Sequence, residues 1–225
     1  MKRRVFVFDL DDTLFPESQF VLSGFRAVAD HAAAKHSLLG FYEPAAELFA
    51  AGRRGNIFDA VLNGLGVPAT PELVKEFVAV YRDHLPRIQL FPDVLPVFEA
   101  LKPSGQLAIL TDGYHATQRN KVTALGLAER VAQVVYSDAL GREHWKPHGL
   151  PYQKVMEGAG CSGGECVYVG DNPLKDFVTA RKLGWLTVRI RRPGGEHAAA
   201  NPPAPDHDAD HTVTTLAGLA PLVTG

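Results

Sequence analysis

The apolar run Val5-Phe6-Val7-Phe8 gives way at once to Asp9-Leu10-Asp11-Asp12-Thr13. A short, continuous run of β-branched and aromatic residues predicts a strand buried on both faces, the condition of a strand inside a parallel sheet. Parallel strands cannot be joined by tight hairpins, so the rest of the chain must supply crossovers, usually helices. On extended backbone Asp9 and Asp11 project the same way. Carboxylates crowded at one strand end repel unless a cation or a proton relieves them. The segment therefore points to a magnesium site beside a carboxylate able to attack a substrate.

The remaining chain fits that constraint. From Leu90 onward, a helix beginning near Pro92 precedes the strand Leu107–Leu110, and a helix follows from about His115 to Leu125. Val131–Tyr136 reads as a strand, 151–158 as a helix, Val167–Val169 as a strand, then a helix to Leu183 and a strand at Leu186–Ile190. Strands alternating with helices predict an α/β fold, a Rossmann-like parallel sheet with right-handed crossovers. Residues 16–90 contain no strand-like run. Phe20, Phe25, Val28 and Ala32 lie at helical spacings in a segment reaching about His36, and further helices are predicted at 43–52, 56–64 and 71–84. Thr70 as N-cap and Pro71 at the first helical position open the last of these. The expected division is thus an α/β core of residues 1–15 and 91–225 and an all-helical insertion of residues 16–90. A length of 225 residues accommodates one domain with such an insertion.

Composition excludes several other classes. A formal net charge of −2 offers no basic stripe for nucleic acid. Met1-Lys2-Arg3-Arg4 before apolar residues imitates a signal peptide, but Asp9 interrupts it too early, and no later run is long enough to span a membrane. The expected location is the cytoplasm, where Cys161 and Cys166 would be thiols. The segment from Pro193 to Asp210 reads as loop, and His197, His207 and His211 are expected to be solvated loop residues.

In open α/β sheets ligands bind beyond the carboxyl ends of the strands. That edge should gather Asp9 and Asp11, Thr111-Asp112-Gly113, Gly170-Asp171-Asn172 and, in a longer connection, Lys146-Pro147. The set matches what a phosphate monoester requires. A carboxylate can attack phosphorus and divide the hydrolysis into two steps. Asp9 and Asp171 supply oxygen ligands for magnesium. Thr111 and the loop N–H groups of Asp112 and Gly113 suit phosphoryl oxygens, Lys146 offsets charge, and Asp11 can move protons.

These motifs resemble those of the haloacid dehalogenase-like hydrolase superfamily, most of whose members are phosphatases. All four signatures occur in order: Asp9-Leu10-Asp11-Asp12-Thr13, Thr111, Lys146-Pro147, and Gly170-Asp171 with Asp176 five residues later. The resemblance implies that the helical insertion is a cap domain. It implies that Asp9 is the nucleophile and Asp11 the general acid/base. It gives Mg2+ to the Asp9 carboxylate, the Asp11 carbonyl and Asp171, with Asp176 in support. Taken singly, Thr111 could be an N-cap and Lys146 a surface lysine. Asp176 could cap the next helix or pair with Lys175 or Lys182, and Asp12 is expected to turn the loop. Arg53, Arg54 and His115 are candidate substrate contacts, as is Tyr114, with helix termini the competing reading.

The expected activity is Mg-dependent hydrolysis of a small phosphorylated metabolite: a sugar phosphate, a phosphoglycolate-like acid or a nucleoside monophosphate. A phosphosugar mutase shares the nucleophile. A dehalogenase would have no use for a proton donor at Asp11, a receiver domain would place its acceptor on another strand, and a binding protein would be expected to lack a catalytic residue. The sequence carries no sign of oligomeric state.

Overall fold

Val5 and Val7 point to one side of the first strand, and Phe6 and Phe8 to the other. In the computed structural model, which describes residues 4–223, all four are buried. This strand, β1 (Arg4–Phe8), lies inside a six-stranded sheet of order β3-β2-β1-β4-β5-β6. The others are β2 (Gly105–Thr111), β3 (Gln133–Tyr136), β4 (Cys166–Gly170), β5 (Leu186–Ile190) and β6 (His211–Val213), and every neighbouring pair is parallel. β1 pairs Phe8 with Ile109 of β2 on one side and with Val169 of β4 on the other. The chain leaves β1 for a neighbour on one side and later returns on the opposite side. The crevice beyond β1 is therefore a topological switch point, the position where such sheets bind ligands.

The chain divides into two units, one running through Glu17 and resuming at Gln89, the other Ser18–Ile88. In the first, Val5 and Val7 meet Tyr152 and Val155 of the helix α7 (Gly149–Ala159) and Phe177 and Ala180 of α8 (Phe177–Lys182). Phe8, on the opposite face, meets Phe98 of α5 (Val94–Leu101), with ring centroids 5.0 Å apart. The sheet is thus flanked by helices on both faces. Two sequence expectations need correction. β6 begins just after the segment expected to be loop and makes His211, expected to be a loop residue, a strand residue; three residues are too few to show a period. β3 begins at Gln133 rather than Val131, because Val131 and Ala132 still belong to the turn entering it.

The second unit is helical. It holds most of α1 (Glu17–His36), then α2 (Tyr42–Ala50), α3 (Ile57–Gly64) and α4 (Pro71–Asp83). Phe25, Val28 and Ala32 on α1 join Phe58, Val61 and Leu62 on α3 and Phe77 on α4 in one core. Phe41 and Phe77 meet edge to face at 5.3 Å. Gly24 sits mid-helix, where glycine costs about 0.5–1 kcal/mol relative to alanine. The Tyr81 ring occupies the space that a Cβ there would need, which explains the residue. Thr70 caps α4, accepting a hydrogen bond from the Leu73 N–H.

Candidate active site

Asp9 follows β1 directly, and its N–H donates to the Val169 carbonyl at 2.8 Å, which carries the sheet pairing one residue past the strand. The chain then turns at Asp12, whose φ of 50° is left-handed, as expected of a loop-turning aspartate. The Asp12 carboxylate accepts the N–H groups of Glu17 and Glu196, each at 2.8 Å, and so fixes the turn.

Behind Asp9 lies a buried ionic network. The Lys146 ammonium, with no exposed side-chain surface, donates to Asp9 at 2.6 Å, Asp176 at 2.8 Å and the Tyr168 hydroxyl at 2.9 Å. Asp176 also accepts the Asn172 N–H at 2.9 Å. Its carboxylate neither caps α8 nor pairs with Lys175 or Lys182, the sequence-based alternatives. A Cβ on Gly170 would collide with it, so only glycine lets β4 end there. Burial opposes the charge on Lys146, but the carboxylates of Asp176 and Asp9 hold its pKa well above the ordinary value.

Thr111, Asp112 and Gly113 follow β2. The Thr111 hydroxyl is buried and accepts from Gln118 at 2.6 Å. The Asp112 side chain accepts from Ser137 at 2.6 Å, the Lys146 N–H at 3.1 Å and Lys175 at 3.0 Å. Burial works against its charge, yet Lys146, Lys175 and the Ser137 hydroxyl hold it below the usual carboxylate range. Its side chain is thus structural, and only the loop backbone at Asp112 and Gly113 suits phosphoryl oxygens.

Asp11 is held by two residues that the sequence reading passed over. On α6 (His115–Ala124), Lys121 donates to one Asp11 oxygen at 2.6 Å and Gln118 to the other at 2.9 Å. Only the fold reveals them: α6 buries Thr117, Gln118 and Lys121 where an ordinary amphipathic helix would bury apolar residues. Two more residues were missed. Glu17 has its pKa raised to about 7, by burial and then by the Asp11 carboxylate. His197, expected to be a solvated loop residue, reaches the Asn172 side-chain nitrogen at 2.9 Å. His207 approaches the Pro173 carbonyl at 3.3 Å.

Asp9, Asp11, Asp171, Gly113, Lys175 and His197 are among the residues lining a cavity of about 230 Å³. Carboxylates dominate it. Burial raises Asp9 to about 6 despite Lys146. Asp171 is raised well above its ordinary value by burial and by the charges of Asp176, Asp9 and Asp12. Among the described residues the Asp171 carboxylate takes no hydrogen bond or ion pair, although the residue is 7% exposed. Asp9, Asp171 and Asp176 each offer an oxygen within 4.8 Å of the others. A donor set of oxygens carrying excess negative charge fits magnesium.

The weaker candidates make contacts of their own. His115 opens α6, its N–H donating to Asp138 at 2.9 Å and its ring against Tyr136, and it is not among the cavity's lining residues. Tyr114 packs on Trp145. Arg53 and Arg54 belong to the helical unit, where Arg53 donates to the Gly55 carbonyl and Arg54 to the carbonyl of Phe49 near the end of α2, and both line a cavity of about 490 Å³. Among the described residues no helix is long and apolar enough to cross a membrane.

Known proteins share this arrangement of elements. The family model for haloacid dehalogenase-like hydrolases matches residues 3–184. A glyceraldehyde 3-phosphate phosphatase of Methanopyrus kandleri is 30% identical over 196 residues, which span 83% of either chain. A phosphoglycolate phosphatase of Xanthomonas campestris pv. campestris is 28% identical over 187 residues, 82% of this chain and 81% of its own. Among solved structures, the magnesium-bound HAD-hydrolase YfnB of Bacillus subtilis matches over 100% of both chains, with a TM-score of 0.72 at 18% identity, a likeness of fold.

Proposed function

The chain belongs to the haloacid dehalogenase-like hydrolase family, and from that premise we propose that this phosphatase hydrolyses a small phosphorylated metabolite of the glyceraldehyde 3-phosphate or phosphoglycolate kind through an aspartyl-phosphate on Asp9. The observation that carries the reading is the pairing of a buried, Lys146-bound Asp9 with a buried Asp171 whose carboxylate has no hydrogen-bond partner among the described residues. The polar cavity of about 230 Å³ suits a compact substrate. Relatives acting on small phosphorylated compounds support the same size class.

In the first half-reaction an Asp9 carboxylate oxygen attacks phosphorus, the bond to the substrate oxygen breaks, and Asp11 gives that oxygen a proton. Water then attacks the acyl phosphate while Asp11 takes its proton, releasing inorganic phosphate and restoring Asp9. Lys121 and Gln118 fix the direction of Asp11. Lys146 holds Asp9 in place and neutralises part of the charge behind it. Magnesium would be held by Asp9, the Asp11 carbonyl and Asp171, and when bound supplies positive charge beside the phosphoryl oxygens. Asp176, whose oxygens already accept Lys146 and the Asn172 N–H, would support that set from behind. The helical unit, inserted in the chain just after the strand carrying Asp9, is assigned the cap's task of excluding water.

Phosphate release should be measured over glyceraldehyde 3-phosphate, 2-phosphoglycolate, nucleoside monophosphates and hexose 1-phosphates, with magnesium and after chelation. Hydrolysis of the smallest substrates, lost on chelation and restored by magnesium, is the expected result. Conversion of hexose 1-phosphate to an isomer without free phosphate would instead establish a mutase.

A further inference from the structure

In the helical unit, three side chains converge on one point of the surface. The Nε2 atoms of His31 and His36 lie 2.5 and 2.9 Å from a single oxygen, Oε1 of Glu76, and the Lys35 ammonium lies 2.9 Å from the same oxygen. The other Glu76 oxygen carries no hydrogen bond among the described residues. The two histidines stand in the last turns of α1, Glu76 in α4, so the cluster joins segments 40 residues or more apart. The rings are held in place: both histidines pack edge-on against the buried Phe77, at 6.3 and 5.9 Å between centroids.

We propose that His31, His36 and Glu76 form a second metal site, for a divalent transition metal of the zinc type. The two imidazole nitrogens and a carboxylate oxygen lie within 4.8 Å of one another. Donors about 2.0–2.1 Å from a tetrahedral zinc stand roughly 3.3 Å apart. The pairs measured at 2.5 and 2.9 Å need only open by less than an ångström to admit the ion. Glu76 already faces two imidazoles through one oxygen, and a metal would replace the N–H donors by bonds to the bare ring nitrogens. Lys35 is the competitor for that oxygen. Its side chain is 57% exposed and can turn into water, leaving the fourth position to solvent. The partly exposed histidines and glutamate leave the ion a path in. Imidazole donors select zinc, nickel or copper over magnesium, so this site is chemically distinct from the oxygen cluster around Asp9. Because the metal would tie the end of α1 to α4, its binding should stabilise the folded helical unit.

The test is a zinc titration of tag-free, metal-stripped protein by calorimetry, with magnesium in large excess to hold the oxygen cluster. Wild type should bind one zinc ion per chain, and its thermal unfolding should move upward with zinc. His31→Ala and His36→Ala should each weaken binding at least about tenfold, the lower end of what even outer-shell partners contribute, and should lose the thermal shift. Asp171→Asn should bind as wild type does. Lys35→Ala, which removes a competitor without removing a ligand, should bind as tightly or more tightly. The site is refuted if wild type takes up no zinc, if both histidine variants bind unchanged, if Asp171→Asn abolishes uptake, or if Lys35→Ala weakens it.

Discussion

Asp9→Asn should lower turnover by about 10⁴-fold or more while leaving the chain folded, since removal of a covalent nucleophile leaves only positioning and electrostatic contributions. The substitution preserves shape and removes the attacking oxygen's charge. Lys146 keeps its contacts to Asp176 and Tyr168, so the buried ammonium retains a counter-ion. Circular dichroism and thermal unfolding near those of wild type, with phosphate release lost, are the combined readout. Equal phosphate release by mutant and wild type would remove Asp9 from the reaction.

Lys146→Met should act on stability as well as on turnover. The ammonium is wholly buried and is the ion-pair partner of both Asp9 and Asp176. Methionine fills much the same volume but leaves two buried carboxylates close together. Breaking a buried pair by removing one partner costs roughly 3–5 kcal/mol. In a chain of this size each kcal/mol is worth about 2–4 °C, so the melting temperature should fall by roughly 6–20 °C. A double variant, Lys146→Met with Asp176→Asn, should recover part of that loss, because one of the two stranded charges is gone. Turnover should remain low in both, since the orientation of Asp9 depends on Lys146. A single variant as stable as wild type would show that the network contributes nothing to the fold.

The contrast between Asp9 and Asp176 shows what could be read before the fold was known. Asp9 was legible because an apolar run ending in acids has few structural interpretations, and the run alone implied a parallel sheet. Asp176 was legible only as a member of a spaced pattern. Its neighbours in sequence suggested Lys175 or Lys182, yet its partner is Lys146, 30 residues away, delivered by a connection to the same sheet edge. Gln118 and Lys121 escaped because a single helix with a polar inner stripe reads as exposed until something polar is placed opposite it. His197 escaped for a related reason. Its segment is rich in proline and alanine and has no period, and it is held to the sheet by Arg189, which donates to the carbonyls of His197 and Ala200. Local pattern cannot reveal a contact closed by a distant arginine.

The covalent step proposed for Asp9 is open to direct measurement. On the proposed mechanism the Asp11→Asn variant keeps the nucleophile but removes the group that activates water, so with p-nitrophenyl phosphate, whose leaving group needs no proton, the intermediate should accumulate. Rapid acid quench, proteolysis and mass spectrometry should then find one phosphoryl group on the peptide containing Asp9, absent in the Asp9→Asn, Asp11→Asn double variant. A phosphorylated peptide from elsewhere in the chain, or nitrophenolate released with no phosphoenzyme at any quench time, would contradict the assignment of Asp9 as nucleophile.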